Sequence, residues 1–119
     1  MFIGTFTRDL TTASGTQAIT GVGFTPRFVT FESKVTATTG YGSRGGVDNG
    51  TIATCFTDRW QAANATWAVK TSSSLFLQSV DADNAASYIS AFGADGFTLT
   101  WTKTGSPTGT GTINYVAFA

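Results

Sequence analysis

From Phe97 to Thr102 every second residue is apolar and every intervening one is threonine: Phe97-Thr98-Leu99-Thr100-Trp101-Thr102. A period of two puts Phe97, Leu99 and Trp101 on one face of an extended chain and the threonines on the other, which no helix can do. Threonine is β-branched, favours strands, and covers a solvent-facing sheet surface without charge. Asp95-Gly96 ahead of the segment supplies a turn. The same alternation recurs along the chain and almost nothing carries a helical pattern, so the chain is constrained to be all-β.

Pro26 precedes a second strand, Arg27 to Thr36, in which Val29, Phe31 and Val35 share a face with Ser33. Thr30, Glu32 and Lys34 line the opposite face, and Phe28, on that polar face, is placed to cover a sheet edge. Thr16 to Thr20 reads as a short strand closed by Gly21-Val22-Gly23, with Phe24 plugging one end of the core. At the N-terminus Phe2, Gly4 and Phe6 alternate with Ile3, Thr5 and Thr7, so both faces carry apolar groups, as in a strand covered on both sides. Thr38 to Gly50 holds five glycines in thirteen residues and is predicted to be a long exposed loop carrying Tyr41 and Arg44, because glycine weakens strands and favours turns.

Thr51 to Thr57 resumes the alternation, with Ile52, Thr54 and Phe56 on one side and Ala53 and Cys55 on the other. Asp58 to Gln61 reads as a strand or a turn. Short strands follow around Trp67 and Val69, around Leu75 and Leu77, and from Tyr88 to Phe92, with a turn at Asp81 to Ala86. Thr110 to Ala119 places Ile113, Tyr115 and Ala117 on one face and Val116 and Phe118 on the other, which suits a central strand or one buried by a partner. The sum is one domain over residues 1–119, an antiparallel β-sandwich of about seven to nine short strands, with a barrel as the alternative arrangement.

The chain has 119 residues, 7 Lys plus Arg against 7 Asp plus Glu, and only 12% charged residues. Zero net charge at low charge density removes colloidal repulsion and favours association. The same balance gives no electrostatic footprint for nucleic acid, and no apolar run reaches the length of a membrane span. The absence of His excludes a His general base and a His metal site, and the single Cys55 excludes an internal disulfide. Cys55 reads as a small buried hydrophobe. With no secretory signal at the N-terminus, synthesis in a cytoplasm is expected, and Asn64-Ala65-Thr66 reads as a solvated turn rather than a glycosylated site.

No constellation points to catalysis. Asp81, Asp83 and Asn84 offer oxygen ligands, with Asp9 and Asp95 in other turns. Calcium needs about six to eight such oxygens, so Asx turns are the simpler reading. Glu32, two residues from Lys34, reads as a solvated or cross-strand charge. Gly40 to Gly50 lacks the Gly-Lys-Ser/Thr ending of a phosphate loop. No enzyme activity, cofactor or metal is expected. Trp67 and Trp101 are assigned to the core, while Tyr41 and Trp60, in or beside polar turns, are the surface rings suited to stacking on a sugar or a protein partner.

The segment Ile19-Thr20-Gly21-Val22-Gly23-Phe24-Thr25-Pro26-Arg27-Phe28-Val29-Thr30-Phe31 resembles the GF-x-P-x-x-V-x-F opening of small β-sandwich proteins encoded by tailed bacteriophages. Asp95-Gly96-Phe97-Thr98-Leu99-Thr100-Trp101 and the closing Tyr115-Val116-Ala117-Phe118 are similar to the second half of that pattern. The spacing also resembles H-type lectin domains, trimeric β-sandwiches that bind sugars and occur at phage fibre tips. The resemblance implies a homotrimer, or a place in a symmetric virion shell, made in the host cytoplasm and located on the capsid surface or the tail.

A chain that enters the domain directly at Met1, with no shaft before it, favours a capsid decoration or cement protein, with the major capsid protein or another virion protein as partner. Phe2, Ile3, Val116 and Phe118 are then the partner contacts. A receptor- or glycan-binding module of a fibre or tail tip is the alternative, with Tyr41, Arg44 and Trp60 as the ligand loops and a host glycan as partner. Another small tail or connector role is the third reading.

Overall fold

The computed structural model describes the backbone of residues 1–36, 42–61, 64–80 and 82–119, and the side chains of these outside 58–67. Ten antiparallel strands are present among the described residues: β1 (Phe2–Asp9), β2 (Gly15–Ile19), β3 (Phe28–Val35), β4 (Gly42–Asp48), β5 (Ala53–Gln61), β6 (Asn64–Lys70), β7 (Leu75–Val80), β8 (Asp83–Gly93), β9 (Gly96–Thr104) and β10 (Thr110–Phe118). They form a six-stranded sheet, β1-β10-β3-β4-β5-β6, and a four-stranded sheet, β2-β9-β8-β7. This is an all-β, two-sheet fold consistent with a β-sandwich. The folded chain exposes 6188 Å², against roughly 6,100 Å² for a compact monomer of its mass.

Alternation builds the core. Phe97, Leu99 and Trp101 of β9 are buried, facing Val29, Phe31 and Val35 of β3 and Ile113, Tyr115 and Ala117 of β10. The Phe97 ring is the keystone between sheets, edge-on to Tyr115 at 5.3 Å and to Phe31 at 5.8 Å. Each such pair adds about 0.5–1.5 kcal/mol beyond area burial. Phe24 packs against this cluster from one side, and Cys55 is buried. The Trp101 indole N–H donates to Gln17 Oε1 at 3.0 Å, and the guanidinium of the buried Arg8 lies 5.0 Å from its ring centroid. Burial pulls Arg8 below the usual arginine value, and Asp9 beside it pushes back.

The tenth strand is the one that composition hides. Residues 42–48 are not an exposed loop; they are β4, in the interior of the six-stranded sheet between β3 and β5. Gly46 is required there by packing, since a Cβ would meet the Ser74 carbonyl and stand 3.1 Å from Phe31 Cβ. Gly46 therefore serves the close approach of β4 to the segment entering β7. Two short polar side chains of β4 then bind amides of the other sheet. Ser43 Oγ accepts from Phe76 N at 3.4 Å, and the buried Asp48 accepts from Ile89 N at 2.7 Å through Oδ2 and from Gly50 N at 2.8 Å through Oδ1.

Other boundaries also differ from the sequence reading. Asn64 to Thr66 opens β6 and Asp83 to Ala86 opens β8, where turns were expected, while Asp58 to Gln61, open to either reading, continues β5 as strand. In each case a partner strand supplies ladder bonds that override weak local propensity. Within one copy β1 is covered on one side only. Phe2, Gly4 and Phe6 face inward, with Phe2 and Phe6 against the Tyr115 ring at 6.1 and 5.9 Å, while Ile3 is 68% exposed. Tyr41, Asp81 and the side chain of Trp67 lie outside the described residues.

Candidate interaction surface on the six-stranded sheet

Because the inward positions of the six-stranded sheet are taken by the core, the alternate positions make one continuous outer face. Its register reads across five strands as Ile3, Val116, Thr30, Val47 and Thr54. Beside this row Phe118 pairs with Phe28, their rings 5.6 Å apart and both still more than a third exposed. Further along, Arg44 stands opposite Phe56, and Phe56 opposite Val69, both of these apolar side chains being about half exposed. Monomers leave single apolar groups on their surfaces, but clusters of large ones mark contact sites.

The face is not flat. Register shifts occur in β3–β4 between Phe31 and Ser33 and in β4–β5 between Arg44 and Val47. Gly45 lies in this bulge at φ +59°, a left-handed conformation that glycine adopts without strain. Two adjoining grooves result. The larger, about 500 Å³, is polar and includes Glu32, Lys34, Arg44, Thr112 and Asn114 in its lining. The smaller, about 280 Å³, has Ile3, Thr30, Gly45 and Val116 in its lining and shares Glu32 and Asn114 with the first.

The predicted contact residues are therefore sorted by phase. Ile3, Val116 and Phe118 come together on the outer face; Phe2 points the other way and packs on Tyr115. Arg44 is exposed as predicted, but on strand β4. Tyr41 lies outside the described residues, as does the side chain of Trp60, whose backbone belongs to β5. Phe56, Val69 and Asn114 were not singled out as contacts by sequence. Phe28 had a usable signal: like Phe118 it is a phenylalanine standing in the polar phase of its strand, and the two meet across β3 and β10.

Three of the carboxylates considered as ligands, Asp9, Asp83 and Asp95, accept bonds from nearby groups, and Asp81 lies outside the described residues. Asp95 accepts from Gly23 N at 2.7 Å and Gly21 N at 3.0 Å, and these amides hold its carboxyl below the usual range. Asp9 accepts from the Thr11 hydroxyl and amide, which lower it likewise. Asp83 accepts from Ser106 N at 3.0 Å. Burial pushes the Cys55 thiol up to about 11, opposed by Lys70, and raises the Tyr115 phenol. Both therefore stay protonated at neutral pH.

No known protein family, curated protein or solved structure matches the chain. The outer face and its grooves are thus read on their own chemistry.

Proposed function

We propose that the protein is a structural virion component, a capsid decoration or cement protein. In this reading it self-associates, as the homotrimer that the resemblance implies, and binds the capsid surface non-covalently through the outer face of its six-stranded sheet. The observation that carries this is the grouping of Ile3, Val116, Phe28 and Phe118 on one solvent-facing sheet surface. Zero net charge supports it, since like copies can crowd on a lattice without repulsion. The sequence resemblance to phage β-sandwich proteins and H-type lectin domains supports the virion setting and a lectin-like variant of the fold. No catalytic role is part of the proposal.

One observation favours a second reading. The polar groove offers carboxylate, ammonium, guanidinium, hydroxyl and carboxamide groups side by side, the mixture of donors and acceptors that a sugar requires. A receptor- or glycan-binding module at a tail tip would use it, with Arg44 as a polar anchor and Tyr41 and Trp60 as candidate stacking rings.

Cryo-electron microscopy of the virion encoding the chain tests both. Density on the head with the outer face against a neighbour supports decoration. Density confined to fibres or the tail tip, with glycan binding lost in Arg44→Ala and Asn114→Ala, moves the second reading ahead. Absence from the particle overturns both.

A further inference from the structure

Strand β1 is an edge of the six-stranded sheet, and hydrogen-bond parity fixes which of its groups face outward. Leu10 N donates to Gly109 O, whereas Thr36 N donates to Thr110 O and Arg27 N to Phe118 O. Even-numbered residues of β10 therefore face β3 and its odd-numbered residues face β1. With the β1–β10 register, Phe2, Gly4 and Phe6 exchange ladder bonds with Ala117, Tyr115 and Ile113. The N–H and C=O of Ile3, Thr5 and Thr7 point off the sheet.

Thr7 O is occupied by Gln17 Nε2 at 3.1 Å, but among the described residues nothing takes the outward amides and carbonyls of Ile3 and Thr5. An open edge invites pairing unless charge, proline, a bulge or shortness blunts it. β7 carries a register shift, β6 ends on Lys70, and β2 has only 5 residues. Phe2 to Thr7 has no charge, no proline and no register shift.

We propose that β1 pairs antiparallel with β1 of a second copy. A two-fold axis makes the edge complementary to itself, so no foreign strand is needed. Only residues with outward groups can exchange bonds, and Thr7 is held by Gln17. The register is therefore Ile3 with the partner's Thr5 and Thr5 with the partner's Ile3, centred on Gly4. Gly4 then sits at the close-approach, non-hydrogen-bonded position of the pair. The exposed Ile3 side chain gains the partner's Thr5 as a cross-strand neighbour. The two six-stranded sheets become one of twelve strands, with the apolar row running across the junction. This pairing does not rest on the virion reading, and it uses the strand edge rather than the outer face.

Analytical ultracentrifugation of the full chain, with hydrogen exchange at single-residue resolution, tests it. The amides of Ile3 and Thr5 gain protection as concentration rises. Thr5→Pro removes an outward N–H and the side-chain bond to Ile113 O but no ladder bond, so it halves the mass of the wild-type assembly while tryptophan emission stays native. Ile3→Lys, which charges the edge, does the same. Val116→Lys, on the face, leaves the protection of Ile3 and Thr5 intact. A wild-type chain that stays monomeric, unprotected Ile3 and Thr5 amides in the assembly, or a Thr5→Pro assembly of wild-type mass would overturn the proposal.

Discussion

Replacing Asp48 tests how the two sheets are held together. Ile89 faces the β7 side of β8, but the β7–β8 ladder ends at Leu75 with Ser87, so the Ile89 amide has no strand to bond. Asp48 Oδ2 supplies the acceptor from the opposite sheet in a fully buried bond, and Oδ1 takes the partly buried Gly50 amide. A hydrogen bond to a charged acceptor contributes about 1.5–3 kcal/mol, and a buried donor left alone costs about 1–3 kcal/mol. Water can reach Gly50 but not Ile89. Asp48→Ala is therefore expected to cost about 3 kcal/mol, which for a chain of this length is a fall in Tm of about 12 °C. Asp48→Asn keeps one acceptor for Ile89 and loses the other, so about half that cost is expected. Urea unfolding followed by tryptophan emission measures both. An alanine variant within about 0.5 kcal/mol of wild type, the ordinary range of a surface change, would refute the assignment, and so would an asparagine variant as unstable as alanine.

Gly46→Ala should destabilise by about 3 kcal/mol, the upper end of the overpacking range, since its methyl must displace the Ser74 carbonyl and the Phe31 Cβ. Gly15→Ala, with open space around the new methyl, should be neutral or slightly stabilising in the same urea titration. The Asp95 carboxyl is lowered in the folded state, so the stability it contributes is complete above the unfolded value of 3.8 and is lost as pH falls through the folded one. Asp95→Asn should thus be less stable than wild type at neutral pH, with the difference shrinking below about pH 4. Cys55, buried with its thiol at about 11, should resist a disulfide reagent at pH near neutrality and react at once in denaturant. Rapid labelling of the native chain would contradict its burial.

The alternation that defines β3, β9 and β10 was legible because one face of each is core and the other is not. Val29 and Phe31, Leu99 and Trp101, and Ile113 and Tyr115 all lie where their phase puts them. β4 was not legible. Its glycines look like loop composition, and the reason for Gly46 is a carbonyl of Ser74, which only the folded chain brings near. Asp83 to Ala86 was misread for a related reason, as turn-rich residues there are held extended by pairing with both β7 and β9. On the outer face, phase alone separates Ile3 from Phe2 once β1 is known to have one buried side. The grooves lie beside two register shifts, and the smaller has Gly45 in its lining, features that no local pattern marks.

The position of β10 between β1 and β3 has a consequence for synthesis on the ribosome. A bond such as Thr5 Oγ1 to Ile113 O joins residues 108 positions apart; β3 can pair with β4 on one edge, but β1 and the other edge of β3 find no partner until β10 has been made. Such distant pairings are slow to form. During that interval the nascent chain holds two open edges, that of Phe2–Asp9 and the β10-facing edge of Phe28–Val35, both in strands that carry phenylalanine and threonine. Their exposure ends only when residues 110–118 slot between them, so the yield of soluble protein should depend on how fast β10 docks as much as on the stability of the finished sheet.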